Sequence, residues 1–207
     1  IDLSTICSEE SEAFASINDF KGILKGNGHK ITGFYGTGSF FSNISGTVED
    51  LTIEGTVNAN NTAGFTTYLY NTGVLKNCVN KVKVVSAAEA GGLTYTNYGQ
   101  IIDCKNEATI TAGNSAGGIA CTGDERGSIF RCVNTGDITV ETSKTVNVAG
   151  IQAEEGYNIR FSKNEGKISV NVPDDADLSR AIAKIGGITG TQDPQGTLIG
   201  NYNAGSI

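Results

Sequence analysis

AGGLTYTNYGQIIDCKN, residues 90–106, contains the repeat unit from which the chain is built. In this unit a Gly-apolar step is followed by a loop that ends in glycine, an apolar strand and a Cys-x-Asn triplet. The pattern recurs through most of the chain, and its asparagine stands at Asn80, Asn106, Asn134, Asn164 and Asn203. Successive asparagines are 26, 28, 30 and 39 residues apart. An unbroken column at this spacing indicates a repeat protein, in which the longer repeats carry loop insertions.

The segments between the glycines are short and rich in β-branched residues. Residues 108–111, 137–140 and 167–170 read ATIT, DITV and KISV, in which apolar and polar residues alternate. This period of two predicts strands with one buried face, and no window has a sustained helical period. We therefore predict an all-β fold, a single-stranded, right-handed parallel β-helix of about six to seven coils stacked on one another.

The columns of the repeat acquire a physical meaning in such a fold, because equivalent residues lie above one another at about 4.8 Å. The asparagine column predicts a ladder of amide hydrogen bonds, and asparagine also tolerates the left-handed backbone of a tight corner. Two residues earlier, Cys78, Cys104 and Cys132 indicate small side chains that point inward. Leu51 and Ile53 occupy these two columns in the preceding coil, so we expect the ladder to begin at Asn80.

We interpret the 207 residues as one β-helix domain, with N-terminal coils over 1–62 and regular coils over 63–207. Within the first coils, the polar residues 8–12 are compatible with the start of a short helix that reaches Ile17, or equally with a polar loop. The chain opens at Ile1 without Met, which we interpret as a piece of a longer protein with neighbouring domains.

Charge and hydropathy argue against two classes of partner. The net charge is −7 and the sequence has no basic patch, so we expect no nucleic acid partner. No apolar run is long enough to cross a bilayer, so we expect no membrane insertion in this segment.

Residues 20–34, FKGILKGNGHKITGF, resemble the opening of proteins that carry GLUG-type repeats. TVEDLTIEG at 47–55 and GITG at 187–190 strengthen the resemblance, which covers nearly the whole chain. Such repeats occur in bacterial surface proteins, including adhesin-like proteins and non-catalytic regions of immunoglobulin A proteases. The resemblance implies a right-handed parallel β-helix, an extracellular or cell-surface location and no catalytic residues. At Gly64 and Gly150 an alanine replaces the first glycine of the pair, which we expect to alter a turn and not the architecture.

Few residues of this chain have the spacing of a metal or cofactor site. The five cysteines include no CxxC pair, so we predict free buried thiols and no disulfide framework. His29 is the only histidine and follows a Gly-Asn-Gly turn, where we expect an exposed or capping role. Asp174, Asp175 and Asp177 are weak candidates for a Ca²⁺ site, the alternatives being a solvated loop or the acidic first turn of a short helix. We predict no cofactor.

Asp50 and Asp103 raise the possibility of catalysis, because parallel β-helices host polysaccharide lyases and glycosidases. They share one column, with Asn77 between them, Arg131 after them and Lys105 close to Asp103. Two coils would separate the carboxylates by roughly 9–10 Å, at the edge of the range for inverting glycosidases. The alternative is a charged solvent face in which the alternation of signs avoids repulsion.

Tyrosines supply the candidate binding patch. Tyr68, Tyr70 and Tyr98 lie between the Gly-apolar step and the loop-closing glycine of adjacent coils. An exposed tyrosine offers a flat apolar face and a hydroxyl, which suit protein and sugar surfaces. Tyr95 shares its column with Thr67, Cys121 and Ala153, so we expect it to point into the core.

The sequence therefore favours a non-catalytic extracellular module of a bacterial cell-surface protein, for adhesion or for presentation of another domain. Its expected partner is a host or bacterial surface glycan or protein. The alternatives are a carbohydrate-active β-helix enzyme that uses carboxylates such as Asp50 and Asp103, and a purely structural stalk without a ligand.

Overall fold

The computed structural model describes residues 1–7, 12–142, 144–173 and 183–207, and this part of the chain forms a parallel β-helix without an α-helix. Its strands, in chain order, are β1 Ile23–Lys25, β2 Lys30–Gly36, β3 Phe41–Ile44, β4 Thr47–Glu49, β5 Thr52–Asn58, β6 Thr62–Ala63, β7 Thr66–Leu69, β8 Val74–Lys76, β9 Val79–Ser86, β10 Ala90–Gly91, β11 Thr94–Asn97, β12 Gln100–Ile102, β13 Lys105–Asn106, β14 Ile110–Ala112, β15 Ala116–Gly117, β16 Ala120–Gly123, β17 Ser128–Phe130, β18 Val133–Asn134, β19 Ile138–Glu141, β20 Val146–Ala149, β21 Gly156–Arg160, β22 Lys163–Asn164, β23 Ile168–Asn171, β24 Ala183–Gly186, β25 Gln192–Ile199 and β26 Tyr202–Asn203.

These strands form four parallel sheets that run along the solenoid, and neighbouring strands in a sheet come from successive coils. Sheet I has the order β1-β4-β8-β12-β17-β21-β25, and sheet II has the order β24-β20-β15-β10-β6. Sheet III has the order β16-β11-β7-β3. The ten strands of sheet IV follow the path β23-β19-β14-β9-β13-β18-β22-β26, with β2 joined to β9 through β5.

The solenoid has about five complete turns, slightly fewer than the six to seven coils expected from the sequence. Five strands of the described chain lie in sheet II, and the first of them, β6, begins at Thr62. The described residues before Thr62, 1–7 and 12–61, supply strands to the other three sheets but none to sheet II. The N-terminal coils therefore lack one face and do not count as complete turns.

The described residues 12–20 do not form an α-helix, one of the two alternatives that the sequence left open. Phe14 and Ile17 form parallel β-bridges to Gly36 and Phe41, so a helix reaching Ile17 is wrong. The physical reason is aromatic packing: the Phe14 ring stacks on Phe40 with centroids 4.9 Å apart. Burial of such rings outweighs the capping preference of short polar side chains. Residues 8–11 lie outside the described residues.

The predicted asparagine ladder is confirmed. Each asparagine donates from Nδ2 to Oδ1 of the next one, and all four distances are 2.8 Å, along the series Asn80, Asn106, Asn134, Asn164 and Asn203. The second amide hydrogen is donated to the carbonyl two residues further along the chain, as from Asn134 to Gly136 at 2.9 Å. Ile53 pairs with Asn80, which confirms that the ladder begins at Asn80.

The glycine of the Gly-apolar step is required by the ladder. A Cβ atom on Gly118 would lie 2.5 Å from Cγ of Asn134 and closer still to the carbonyl oxygen of Gly150. The same conflict with the asparagine of the same coil exists at Gly64, Gly92, Gly150 and Gly187. The two columns are therefore one structural unit, since the missing side chain of one makes room for the buried amide of the other.

The alanines before Gly64 and Gly150 leave the architecture unchanged, as expected. Ala63 pairs with Gly91, and Gly117 pairs with Ala149, so the register of sheet II continues through both positions.

The left-handed corner does not fall on the ladder asparagines, which corrects one expectation. It lies three residues earlier, where φ is between 50° and 55° in Asp50, Asn77, Asp103, Arg131 and Phe161 and 63° in Gly200. Side chains of the corner residues face solvent, whereas those of the ladder are fully buried at Asn80, Asn106, Asn134 and Asn164. The exposed left-handed corner and the buried ladder amide are therefore provided by two different residues of each coil.

We predict that Asn134→Ala destabilises the solenoid by about 2–4 kcal/mol, because it leaves buried polar partners on both neighbouring coils unsatisfied. Urea unfolding followed by far-UV circular dichroism measures the change. The matched control is Asn171→Ala at an exposed position of β23, which should change stability by less than about 0.5 kcal/mol. Equal effects of the two substitutions would show that the ladder contributes nothing specific.

We also predict that Gly118→Ala destabilises the fold by more than about 2 kcal/mol, since the new Cβ displaces the Asn134 amide and the adjacent coil. Gly22→Ala is the control, because a Cβ there meets only the Phe20 ring at 3.7 Å. Thermal unfolding of the two variants distinguishes a steric requirement at Gly118 from a general glycine effect. A melting temperature of Gly118→Ala equal to that of the wild type would contradict the packing described above.

Candidate functional site

Two exposed tyrosines on sheet III form an aromatic ridge. In β7 the side chain of Leu69 is fully buried, so Tyr68 and Tyr70 on either side of it point to solvent. Their exposed fractions are 38% and 41%, and the rings are nearly parallel, with centroids 6.4 Å apart. Both side chains therefore present flat apolar surface in the same direction.

Tyr95 belongs to this surface and not to the core, which corrects the sequence-based expectation. Its ring makes an edge contact with Tyr68 at 6.3 Å, and its hydroxyl donates to Oε2 of Glu89 at 2.8 Å. Burial, the hydrogen bond to Glu89 and the charge of that carboxylate raise the pKa of Tyr95 well above its usual range. Tyr95 thus stays protonated and holds the ridge in place. We call Tyr68, Tyr70 and Tyr95 the tyrosine cluster.

Tyr98 lies beside the tyrosine cluster but is covered on one face. The pairing of Asn97 with Leu69 places Tyr98 next to Tyr70 along the sheet. The guanidinium of Arg126 lies over its ring, 4.5 Å from the centroid, and donates from Nε to Oδ2 of Asp124 at 2.8 Å. Of the three tyrosines predicted from the sequence, Tyr68 and Tyr70 therefore lie together with open rings. Tyr98 lies beside them, and the Arg126 guanidinium covers one face of its ring.

Asp50 and Asp103 are each held by a neighbour in their own column. Arg131 donates from Nε and Nη2 to the two oxygens of Asp103, both at 2.6 Å, and Asn77 donates to Asp50 at 2.6 Å. The hydrogen bonds from Arg131 are the main reason why the pKa of Asp103 lies below its usual range.

A general acid needs a raised pKa, whereas the pKa of Asp103 is lowered. Lys105, predicted to lie close to Asp103, instead forms an ion pair with Glu107 at 2.7 Å. The charged side chains of this column are therefore paired with their neighbours, as is typical of a solvent-exposed face.

The five cysteines are free and buried, as predicted. The backbone N–H of Cys78 donates to Sγ of Cys104 at 3.3 Å, and further along the column Cys132 donates in the same way to Oγ of Ser162 at 3.1 Å. Burial raises the pKa of the Cys104 and Cys121 thiols. A raised pKa disfavours the thiolate, which is the nucleophilic form, and the sulfur of Cys104 accepts a backbone hydrogen bond between coils.

No group of three or more His, Cys, Asp or Glu side chains in the described part of the chain is arranged to hold a metal ion. The candidates Asp174, Asp175 and Asp177 lie outside the described residues. Across the ranges that the structure describes, no helix has the length and apolar character needed to cross a membrane.

Comparison of the chain with protein-family models, curated proteins and solved structures found no match in any of the three sets. The function must therefore be inferred from the chemistry of the tyrosine cluster and its surroundings.

We predict that Arg131→Gln raises the pKa of Asp103 toward the ordinary value of 3.8, because the two charged donors are lost. Carbon-13 NMR titration of the Asp103 carboxyl group measures this shift directly. The wild-type pKa is depressed on folding, so the pair contributes stability above the unfolded-state pKa and loses it as the pH falls through the folded-state pKa.

The variant should therefore lose less stability than the wild type as the pH falls below about 4, through the lowered pKa of Asp103. Arg126→Gln, whose guanidinium pairs with Asp124, is the control and should leave Asp103 unchanged. An unchanged titration of Asp103 in Arg131→Gln would contradict the assignment.

Proposed function

We propose that this chain is a non-catalytic extracellular module of a bacterial cell-surface protein, in which a stiff β-helix presents the tyrosine cluster to a surface glycan or protein. The observation that carries the proposal is the pair of open, nearly parallel rings of Tyr68, in β7, and Tyr70, directly after β7. The resemblance to GLUG-type repeats supports the cell-surface location and the bacterial setting.

The geometry of the tyrosine cluster suits recognition without turnover. Tyrosine contributes a large apolar face at a low entropic cost, and its hydroxyl can hydrogen-bond to the ligand. Tyr95 makes an edge contact with Tyr68 and is itself held by a hydrogen bond to Glu89, so it supports the Tyr68 ring. A surface that is ordered before binding loses little conformational freedom when a partner arrives.

A carbohydrate-active enzyme is supported less well by the same structure. Asp103 is neutralised by Arg131, and Asp50 accepts a hydrogen bond from Asn77. The pKa of Asp103 is lowered, whereas a general acid needs a raised one.

The solenoid also suits presentation of neighbouring domains. The seven strands of sheet I span roughly 29 Å at the spacing of adjacent strands. The buried asparagine ladder ties five successive coils together, so the rod resists bending between them. A pure stalk would share this stiffness and differ only in having no ligand.

We predict that the wild-type protein binds at least one probe in a printed array of surface glycans or in a panel of purified extracellular matrix proteins. The double variant Tyr68→Ala/Tyr70→Ala should weaken that binding by at least about tenfold, because it removes both open rings. Tyr202→Ala is the matched control, since this tyrosine is 61% exposed on a different face and should leave binding unchanged.

Two results would contradict the proposal. Absence of binding to every probe would favour the stalk, and binding that survives the double variant would place the site elsewhere. Far-UV circular dichroism of each variant checks that the solenoid is intact.

A further inference from the structure

A shallow depression of about 350 Å³ lies on the outer face of sheet I, and none of its lining residues belongs to the tyrosine cluster. Two rows of side chains from β12, β17 and β21 form it, with equivalent positions on successive coils. The first row is Gln100, Ser128 and Asn158, and the second row is Ile102, Phe130 and Arg160. One row is thus polar and uncharged, and the other is apolar with a cation at its end.

The polar groups of this depression are free. In the ranges that the structure describes, the side chains of Gln100, Ser128, Asn158 and Arg160 make no hydrogen bond or ion pair. The two other guanidiniums nearby differ from Arg160, since Arg131 is held by Asp103 and Arg126 is held by Asp124. Of these three guanidiniums, that of Arg160 is the one open to an anionic ligand.

A second cation extends the apolar row in the opposite direction. Lys76 pairs with Ile102 in the sheet, and Phe130 pairs with Arg160, so the order along the axis is Lys76, Ile102, Phe130 and Arg160. Lys76 is exposed and makes no ion pair or hydrogen bond with a described residue, and its charge helps to lower the pKa of the nearby Asp103. Three coil spacings separate the two cations, which is roughly 14 Å. The Arg131–Asp103 pair beside the row has no net charge.

We propose that this face binds a linear acidic polysaccharide, a chain of uronic acid units, along the solenoid axis. The Arg131 guanidinium covers one face of the Phe130 ring, 4.2 Å from its centroid, and Phe161 makes an edge contact with it. Sugar carboxylates at either end would meet Lys76 and Arg160, and the apolar faces of the rings between them would pack on Ile102 and on the part of Phe130 that lines the depression. Ring hydroxyls would bond to Gln100, Ser128 and Asn158, which offer both donors and acceptors.

Other extended anions fit this face less well. An extended peptide pairs through its backbone at a sheet edge, whereas β12 and β17 are interior strands with both edges already paired. A nucleic acid carries a charge at every phosphate and needs a series of cations along its backbone, whereas this row offers Lys76 and Arg160, roughly 14 Å apart. The proposal goes beyond the tyrosine cluster and does not depend on it.

Isothermal titration with a hexameric oligogalacturonate, beside a neutral hexameric cellulose fragment, tests the inference on the intact chain. We expect binding of the acidic oligomer, little binding of the neutral one and weaker binding at raised salt. Arg160→Gln should weaken binding of the acidic oligomer by about tenfold, and Phe130→Ala by a similar factor. Arg126→Gln is the matched control, and it should bind as the wild type does.

The Tyr68→Ala/Tyr70→Ala double variant should also bind the acidic oligomer normally, which separates this site from the tyrosine cluster. Absence of binding, equal binding of the neutral oligomer, or an Arg160→Gln variant that binds as the wild type does would each overturn the proposal. Equal competition by an oligoglutamate peptide would overturn the assignment to a glycan. Circular dichroism of Phe130→Ala and Arg160→Gln confirms that each variant is folded before it is compared.

Discussion

The buried asparagine ladder is the interaction on which the rest of this solenoid depends. Each amide bonds to the next coil at 2.8 Å and to a carbonyl of its own turn, so no coil can shift its register without breaking several buried hydrogen bonds. Because these groups are out of contact with water, the loss of one partner leaves others unsatisfied. Three other columns accompany the asparagine ladder. The glycine column leaves room for the buried amides, and the sulfur of Cys104 accepts a backbone N–H of the neighbouring coil. The left-handed corner turns the chain three residues before each ladder asparagine.

A partner can contact only the outward-facing side chains, because the inward-facing side chains are buried in the core of the solenoid. Alternation along a strand sends Leu69 inward and Tyr68 and Tyr70 outward, and sends Ile129 inward and Ser128 and Phe130 outward. Parallel pairing then aligns outward side chains from successive coils into rows. The tyrosine cluster on sheet III and the polar and apolar rows on sheet I both arise in this way. Such rows favour extended ligands and flat partners over small molecules, which need a deep pocket.

The sequence was sufficient for the columns and the parallel β-helix, since residues of one type recur at a spacing that is typical of stacked coils. The sequence also predicted that the ladder begins at Asn80, because Leu51 and Ile53 occupy the cysteine and asparagine columns in the preceding coil. The left-handed corner was missed because Asp103, Arg131 and Phe161 share a backbone conformation but no side-chain chemistry. Tyr95 was assigned to the core because its column neighbours are small, although an outward tyrosine can reach Glu89 across the angle between two sheets. Gln100, Ser128 and Asn158 have the same spacings as the ladder asparagines, 28 and 30 residues, but the row was missed because its three residue types differ.

Hydrogen exchange of the asparagine side-chain amides, followed by nitrogen-15 NMR on the wild-type protein, tests the central role of the ladder most directly. The Nδ2 protons of Asn80, Asn106, Asn134 and Asn164 should exchange at least about 100-fold more slowly than those of the exposed Asn58 and Asn171. Protection of all four would show that the ladder opens only with the solenoid itself. Exchange of the ladder amides at the rate of Asn58 and Asn171 would contradict it, and the coils would then have to be held together by backbone pairing and apolar packing alone.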